Sequence, residues 1–330
     1  MKAYIFTEAG EGIGFGHLSR CISLYESLKE VGVKTEMIVS GTFQDISMLK
    51  GVNYRQQSWY NEEFLEQTVT DEDVCIIDSY LADISLYEIL SNQAKRCVYI
   101  DDNSRLSYPK GIVVNPSLHI GNLSYPRKAG VTYLYGPSYV IVRPAFQKPG
   151  NQREVLRQVK DILVTMGGTD PMGMTLPLID RLKASFPNIR LHVLITDAFS
   201  DKSKIEAKTT SRLHIYKNLD AEAMRGVMKK VDVAITAAGQ TIYELMVSLT
   251  PFIPIQTVQN QENNVEGLRT YEIQTLYVKN ESHVGYVEEA LEEYLSPKIR
   301  NSLIQTYSHL IDGKGSKRIV EKLINGEKEV

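Results

Sequence analysis

Residues 3–30 constrain the chain most. Ala3 to Thr7 is a short apolar run with strand character, and it leads into Gly12, Gly14 and Gly16. Beyond them Leu18, Cys21, Ile22, Tyr25 and Leu28 recur at three- and four-residue spacing, which marks one buried face of a helix. A strand that turns through glycines into a helix implies a crossover, and so a parallel sheet covered by helices. The same arrangement offers backbone N–H groups and the positive helix end to an anion. His17 stands at the mouth of this helix, and imidazole is the side chain that changes charge near neutral pH. Three roles are open to it: helix cap, diphosphate ligand and general base.

The pattern continues along the first half. Strands are expected at Thr35–Val39, Val74–Asp78, Arg96–Ile100 and Ile112–Asn115, all short and rich in β-branched residues. Polar groups follow them: Asp78-Ser79-Tyr80, Asp101-Asp102-Asn103 and Asn115-Pro116-Ser117. In an open α/β sheet the carboxyl ends of the strands border the ligand crevice, although an acidic residue there also serves to cap a helix. The proline-bearing stretch 136–146 reads as a crossing, which gives two domains, 1–145 and 146–330.

The second half repeats the theme. Asp161–Met166 is an expected strand entering Gly167-Gly168-Thr169-Asp170, where backbone donors and a hydroxyl suit a phosphate. Arg190–Ile195 and Asp232–Thr236 are further strands. After the latter, Gly239, Gln240 and Thr241 open a helix whose orphan N–H groups suit a pyrophosphate. Glu244, one turn in, is placed to accept two hydrogen bonds from vicinal ribose hydroxyls, or else to complement the helix dipole. Asn260, Asn263 and Asn264 bring amides that read sugar hydroxyls and acetamido groups, since each carries donors and an acceptor. The tail from His283 to Asn325 is helical in pattern, broken at Gly313 and Gly315.

Charge narrows the partners. With 37 basic and 40 acidic residues the net charge is −3, so nothing draws the chain to nucleic acid or an anionic membrane. Cys21, Cys75 and Cys97 lack metal-site or CxxC spacing and read as buried thiols of a reducing compartment. No apolar run reaches the roughly 20 residues that span a bilayer, and no leader pattern opens the chain. The expectation is a cytoplasmic monomer or weak homodimer. No metal-ligand set is visible, and no metal or cofactor is expected.

Read in order, Gly14-Phe15-Gly16-His17 with Arg20-Cys21, Asp78-Ser79-Tyr80, Ile100-Asp101-Asp102, the 135–146 string YGPSYVIVRPAF, the 164–171 string VTMGGTDP, the 237–244 string AAGQTIYE and the 260–264 string NQENN form a set. This set resembles the UDP-sugar hydrolases of pseudaminic acid biosynthesis, which cleave UDP-2,4-diacetamido-2,4,6-trideoxy-β-L-altropyranose to free sugar and UDP. The second half more distantly resembles the UDP-GlcNAc glycosyltransferase of peptidoglycan synthesis. The resemblance implies an α/β chain of GT-B type, two Rossmann-like domains facing a central cleft, with a UDP-sugar as the partner. It implies His17 as the catalytic histidine and Tyr80 beside the sugar, with Gly14, Gly16, Arg20 and Asp101 on the sugar side. It also implies UDP on Gly167, Gly168, Thr169, Gly239, Gln240, Thr241 and Glu244, with Asn260 or Asn264 completing the substrate contacts. The chain departs from these relatives at Thr250-Pro251, where Gly-Pro is usual, and at Gln240, where serine is common.

Overall fold

The computed structural model describes residues 1–10, 16–43, 47–121, 123–148, 153–277 and 283–326. The turn holding Gly12 and Gly14 lies outside the described residues. Close packing divides the chain into two units, Met1–Pro144 with Lys314–Val330, and Ala145–Gly313.

The first unit runs β1 (Ala3–Glu8), α1 (Gly16–Glu30), β2 (Thr35–Ser40), β3 (Tyr54–Gln56), α2 (Glu62–Thr68), β4 (Val74–Asp78), α3 (Ile84–Gln93), β5 (Arg96–Ile100), β6 (Gly111–Asn115) and β7 (Val131–Tyr135). The strands form one parallel sheet in the order β3-β2-β1-β4-β5-β6-β7. Successive strand side chains alternate between faces. Ala3 and Ile5 pack with Leu18, Cys21, Leu24 and Leu28 of α1, while Tyr4 and Phe6 pack with Trp59, Leu65, Leu86 and Leu90. Both faces are therefore core, which is why β1 and β4 are buried at every position and read as continuous apolar runs. Side-chain oxygens of Asn61 and Asp83 cap α2 and α3, accepting from the N–H groups of Phe64 and Ser85.

The second unit runs β8 (Asp161–Thr165), α4 (Thr175–Ser185), β9 (Arg190–Ile195), α5 (Lys202–Glu206), β10 (Leu213–Lys217), α6 (Ala221–Lys230), β11 (Val233–Ala237), α7 (Thr241–Val247), β12 (Phe252–Gln256), α8 (Glu262–Thr270), β13 (Leu276–Tyr277), α9 (Val284–Tyr294) and α10 (Pro297–Leu310). Its parallel sheet has the order β10-β9-β8-β11-β12-β13. Leu178, Ile179 and Leu182 of α4 and Val284, Val287 and Leu291 of α9 cover one face.

The last helix, α11 (Gly315–Asn325), belongs to the first unit, whereas the sequence pattern left it with the second half. Its apolar stripe, Ile319, Val320 and Leu323, joins the core under α1. The Arg96 guanidinium on β5 donates to the carbonyls of Leu323 and Ile324, which the end of the helix leaves without intrahelical partners. At the other end, Gly315 lies so close to the chain that a Cβ would fall 2.1 Å from the Val140 carbonyl oxygen. Gly315→Ala is accordingly expected to destabilise the protein by about 1–3 kcal/mol through overpacking, measured by denaturant unfolding.

Candidate functional site

In the first unit the strand order reverses between β1 and β4, because β2 and β3 lie on one side of β1 and β4 to β7 on the other. Ligands bind outside the carboxyl ends of the strands at such a switch point. His17 comes from the helix that follows β1, and Asp78 is the last residue of β4. Register places Thr7 of β1 opposite Asp78, so the two elements deliver their side chains to one spot.

His17 Nδ1 lies 2.6 Å from Asp78 Oδ1. Arg20, one helical turn on, grips the same carboxylate with both arms of its fork, Nε at 2.5 Å from Oδ2 and one terminal nitrogen at 2.6 Å from Oδ1. Its other terminal nitrogen donates to Asp102 Oδ2 at 2.8 Å, and the Tyr80 hydroxyl donates to Asp102 Oδ1 at 2.5 Å. Tyr80 and His17 meet edge to face, ring centroids 4.3 Å apart. Five side chains from α1, β4 and the loops after β4 and β5 thus form one continuous network.

Its electrostatics fix the state of the two carboxylates. Burial drives the Asp78 carboxyl toward its neutral form, but the charge and hydrogen bonds of Arg20, with those of His17, outweigh that and hold it well below the usual carboxylate range. An ionised carboxylate only accepts hydrogen bonds, so His17 Nδ1 must carry the proton. Nε2 of the neutral ring is left with the lone pair. The Arg20 terminal nitrogen 3.1 Å from Nδ1 is then a close approach of two donors. Burial also opposes the charge on Asp102, and Arg20 again prevails, keeping this carboxyl low.

Beneath the network lies Glu8, fully buried. It accepts from the Ser79 and Tyr60 hydroxyls, and from the Tyr80 N–H at 2.7 Å. The backbone carrying Tyr80 is therefore pinned to the end of β1.

The residues expected from sequence divide as follows. His17, Arg20 and Tyr80 are together; Gly16 opens α1 and is exposed; Gly14 is outside the described residues. Asp101 turns away from the cluster. It is buried, and its Oδ1 accepts from the N–H groups of Asn103 and Arg105, shaping the loop, while Asp102 reaches Arg20 and Tyr80.

In the second unit the same reversal falls between β8 and β11, and the two expected turns leave those adjacent strands at one edge. Gly167, Gly168 and Thr169 are exposed, Gly167 with φ of +79°, which favours glycine. Gln240 is exposed, and Gly239 and Thr241 are half-buried. Among the described residues, the N–H groups of 167–169 and 239–241 donate to no backbone carbonyl. Asp170 caps α4 instead, Oδ1 and Oδ2 accepting from the N–H groups of Met174 and Thr175. Glu244 is nearly buried on α7. Asn264 is committed within the protein: its Oδ1 accepts from the Tyr243 hydroxyl at 2.5 Å and its Nδ2 donates to the Ala238 carbonyl at 2.8 Å. It holds the 238–241 turn in place, and Asn260 is the exposed amide of that segment.

Glu8 is not among the residues expected from sequence, and Asp78 and Asp102 enter there only within the strand-end clusters 78–80 and 101–103. The signal was present, since each is an acidic residue at or just beyond the carboxyl end of a strand. Among the described residues no group of three or more His, Cys, Asp and Glu is arranged to hold a metal, and no helix is long and apolar enough to cross a membrane.

Removing the Asp78 charge should leave Arg20 with Asp102 alone, a cost near the low end for a broken buried pair, about 3 kcal/mol for Asp78→Asn. Because the folded carboxyl is held low, the wild-type advantage is full above the unfolded value of about 4 and is lost as the pH falls through the lower folded value. Unfolding of both proteins between pH 8 and pH 3 measures the difference, which should stay flat down to about pH 4 and shrink below it.

No family model matches the chain. Its sequence is 25% identical to the uncharacterised protein MJ1062 of Methanocaldococcus jannaschii, over 98% of this chain and 66% of that protein. It is 26% identical to the pseudaminic acid cytidylyltransferase and UDP-2,4-diacetamido-2,4,6-trideoxy-beta-L-altropyranose hydrolase of Helicobacter pylori, over 75% of this chain and 43% of that protein. The chain thus spans less than two thirds of the length of both. It is 24% identical to the spore coat polysaccharide biosynthesis protein SpsG of Bacillus subtilis, over 97% and 96%. Among solved structures, Acinetobacter baumannii MurG superposes with a TM-score of 0.62 at 13% identity, covering 98% of this chain and all of that one. The UDP complex of Staphylococcus aureus MnaA gives 0.64 at 16%, covering 100% and 98%. With its two parallel-sheet Rossmann-like units, the chain has the GT-B type of fold.

Proposed function

We propose that the chain hydrolyses a UDP-linked deoxy amino sugar, of the UDP-2,4-diacetamido-2,4,6-trideoxy-hexose kind, to free sugar and UDP. The setting is nonulosonic (pseudaminic) acid or surface polysaccharide synthesis. The observation that carries this reading is the His17–Asp78 pair at the switch point of the first unit. An ionised carboxylate on Nδ1 leaves Nε2 as a base, the geometry required to take a proton from water. The names of the Helicobacter pylori and Bacillus subtilis relatives support the substrate class.

In the proposed reaction Nε2 of His17 takes a proton from water as the water oxygen bonds to the anomeric carbon. The bond from that carbon to the diphosphate oxygen breaks on the opposite side, and UDP leaves with its electron pair. Asp78 orients the ring and stabilises the imidazolium that forms. The N–H groups of the 167–169 and 239–241 turns, which donate to no backbone carbonyl, are assigned to the diphosphate, where they meet the charge growing on the leaving group. Glu244 is assigned to the ribose. The second reading, a GT-B glycosyltransferase in which an acceptor hydroxyl replaces water, draws on the fold shared with MurG. The same base serves both reactions.

Incubation with the UDP-sugar and no acceptor separates them, since only hydrolysis releases UDP at a sustained rate. His17→Asn is expected to retain UDP affinity while kcat falls by a factor on the order of 10²–10⁴. The acid limb of the kcat profile, where protonation silences the base, should vanish from the residual activity. Near-normal kcat in this variant would remove the histidine from the chemistry. UDP release should continue in EDTA; loss on chelation and recovery with Mg²⁺ would replace the backbone N–H account of the leaving group.

The nucleotide assignment has its own test. A Cβ at Gly168 meets nothing within 4 Å, so the side chain of Gly168→Val starts into open space and is expected to obstruct a bound diphosphate. Together with Glu244→Ala, expected to cost about 1.5–3 kcal/mol of UDP binding through a lost charged acceptor, it is read by calorimetry. Unchanged UDP affinity in both variants would move the nucleotide elsewhere.

A further inference from the structure

Tyr80 stands out among the exposed aromatic residues. It is 43% exposed, yet it is held at both ends. Buried Glu8 accepts from its backbone N–H, and Asp102 accepts a hydrogen bond from its hydroxyl. A half-exposed side chain fixed in this way has given up its rotamer freedom before any ligand arrives, which favours recognition. The direction of its hydrogen bond is fixed as well. A phenol has one proton, and Tyr80 gives it to a carboxylate that Arg20 also grips, so the reverse polarity, with Asp102 as donor, is closed. What the Tyr80 oxygen presents to the solvent side is lone pairs.

We propose that Asp102 is a positioning residue that commits the Tyr80 hydroxyl to act as an acceptor, so that this part of the site selects a sugar offering a hydrogen-bond donor, an amide N–H or a hydroxyl. The inference rests on the hydrolase reading for its substrate and goes beyond it in naming the polarity of one contact and the residue that sets it. Arg20 ties this contact to the base. One guanidinium holds both the carboxylate that orients His17 and the carboxylate that orients Tyr80. A site that expects a donor penalises a sugar lacking it, because its acceptor is then left unpaired.

The test is a double-mutant cycle on UDP release from UDP-2,4-diacetamido-2,4,6-trideoxy-altrose, using wild type, Asp102→Asn, Tyr80→Phe and the double variant. Each single change is expected to lower kcat/KM by a factor of about 10–100, with the Kd of bare UDP within about twofold of wild type. The double variant should be no slower than Tyr80→Phe, because a positioning role is exerted through the hydroxyl that Phe lacks, whereas the Arg20–Asp102 pair is the same in both backgrounds. An asparagine at 102 can donate its amide to the Tyr80 oxygen and turn the phenol proton toward the sugar, a conflict that Phe also removes. A structural role for Asp102 through Arg20 predicts something else: lower thermal stability and an Asp102→Asn loss of equal size in the Tyr and Phe backgrounds. That result overturns the proposal, as does kcat/KM within about twofold of wild type in Asp102→Asn. If wild type binds the UDP-sugar more tightly than UDP but releases no UDP, hydrolysis fails. The same cycle read as calorimetric Kd then decides the positioning claim. Binding of the UDP-sugar no tighter than UDP overturns both.

Discussion

The ionic network at the carboxyl edge of the first sheet hangs on the Arg20 guanidinium. Its charge keeps Asp78 and Asp102 ionised against a burial penalty that would otherwise neutralise them. Without that charge Asp78 could carry its own proton, and the His17 tautomer would no longer be defined. Without it Asp102 could donate to Tyr80 as readily as accept. One cation therefore sets the hydrogen-bond polarity of the His17 and Tyr80 rings. The helix makes this possible: His17 and Arg20 are three residues apart on α1, so both meet the residue at the end of the neighbouring strand.

The two units solve related problems with different chemistry. In the first, the loop after β4 is pinned by a buried carboxylate, Glu8, and the network above it is ionic. In the second, the turn after β11 is pinned by a neutral amide, Asn264, and its N–H groups are left without backbone carbonyl partners. The contrast matches the tasks assigned to each. Proton transfer needs side chains with defined charge, whereas an anion is best met by donors that carry no counter-charge of their own.

The fold was legible in the sequence because parallel strands covered on both faces leave short continuous apolar runs, and the glycines mark the turns. His17, Arg20 and Tyr80 were legible from the motifs around them. Their partners were not, for a physical reason. Whether Asp78 caps a helix or orients a histidine depends on β4 lying beside β1, and local pattern carries no record of strand order. Asp101 and Asp102 are indistinguishable neighbours until the loop shows which one turns toward Arg20. Asn264 reads from sequence as a candidate substrate-contacting amide, and its bonds to Tyr243 and Ala238 depend on α8 lying beside the start of α7, which local pattern does not record. Glu8 extends β1 one residue past the expected strand end, since three hydrogen bonds satisfy a carboxylate that composition alone would place in water.

The return of α11 to the first unit has a consequence for how the chain is made. The second unit is a continuous segment, complete once Gly313 has left the ribosome, while the first waits for Gly315–Asn325 to close the apolar face over α1. Emergence order is thus inverted relative to sequence order: the unit that begins first finishes last. Until then the apolar side chains that Ile319, Val320 and Leu323 cover stay open, the kind of surface that chaperones bind and that aggregation exploits. Any truncation or pause ahead of Gly315 should leave a well-folded second unit tethered to an unfinished first one.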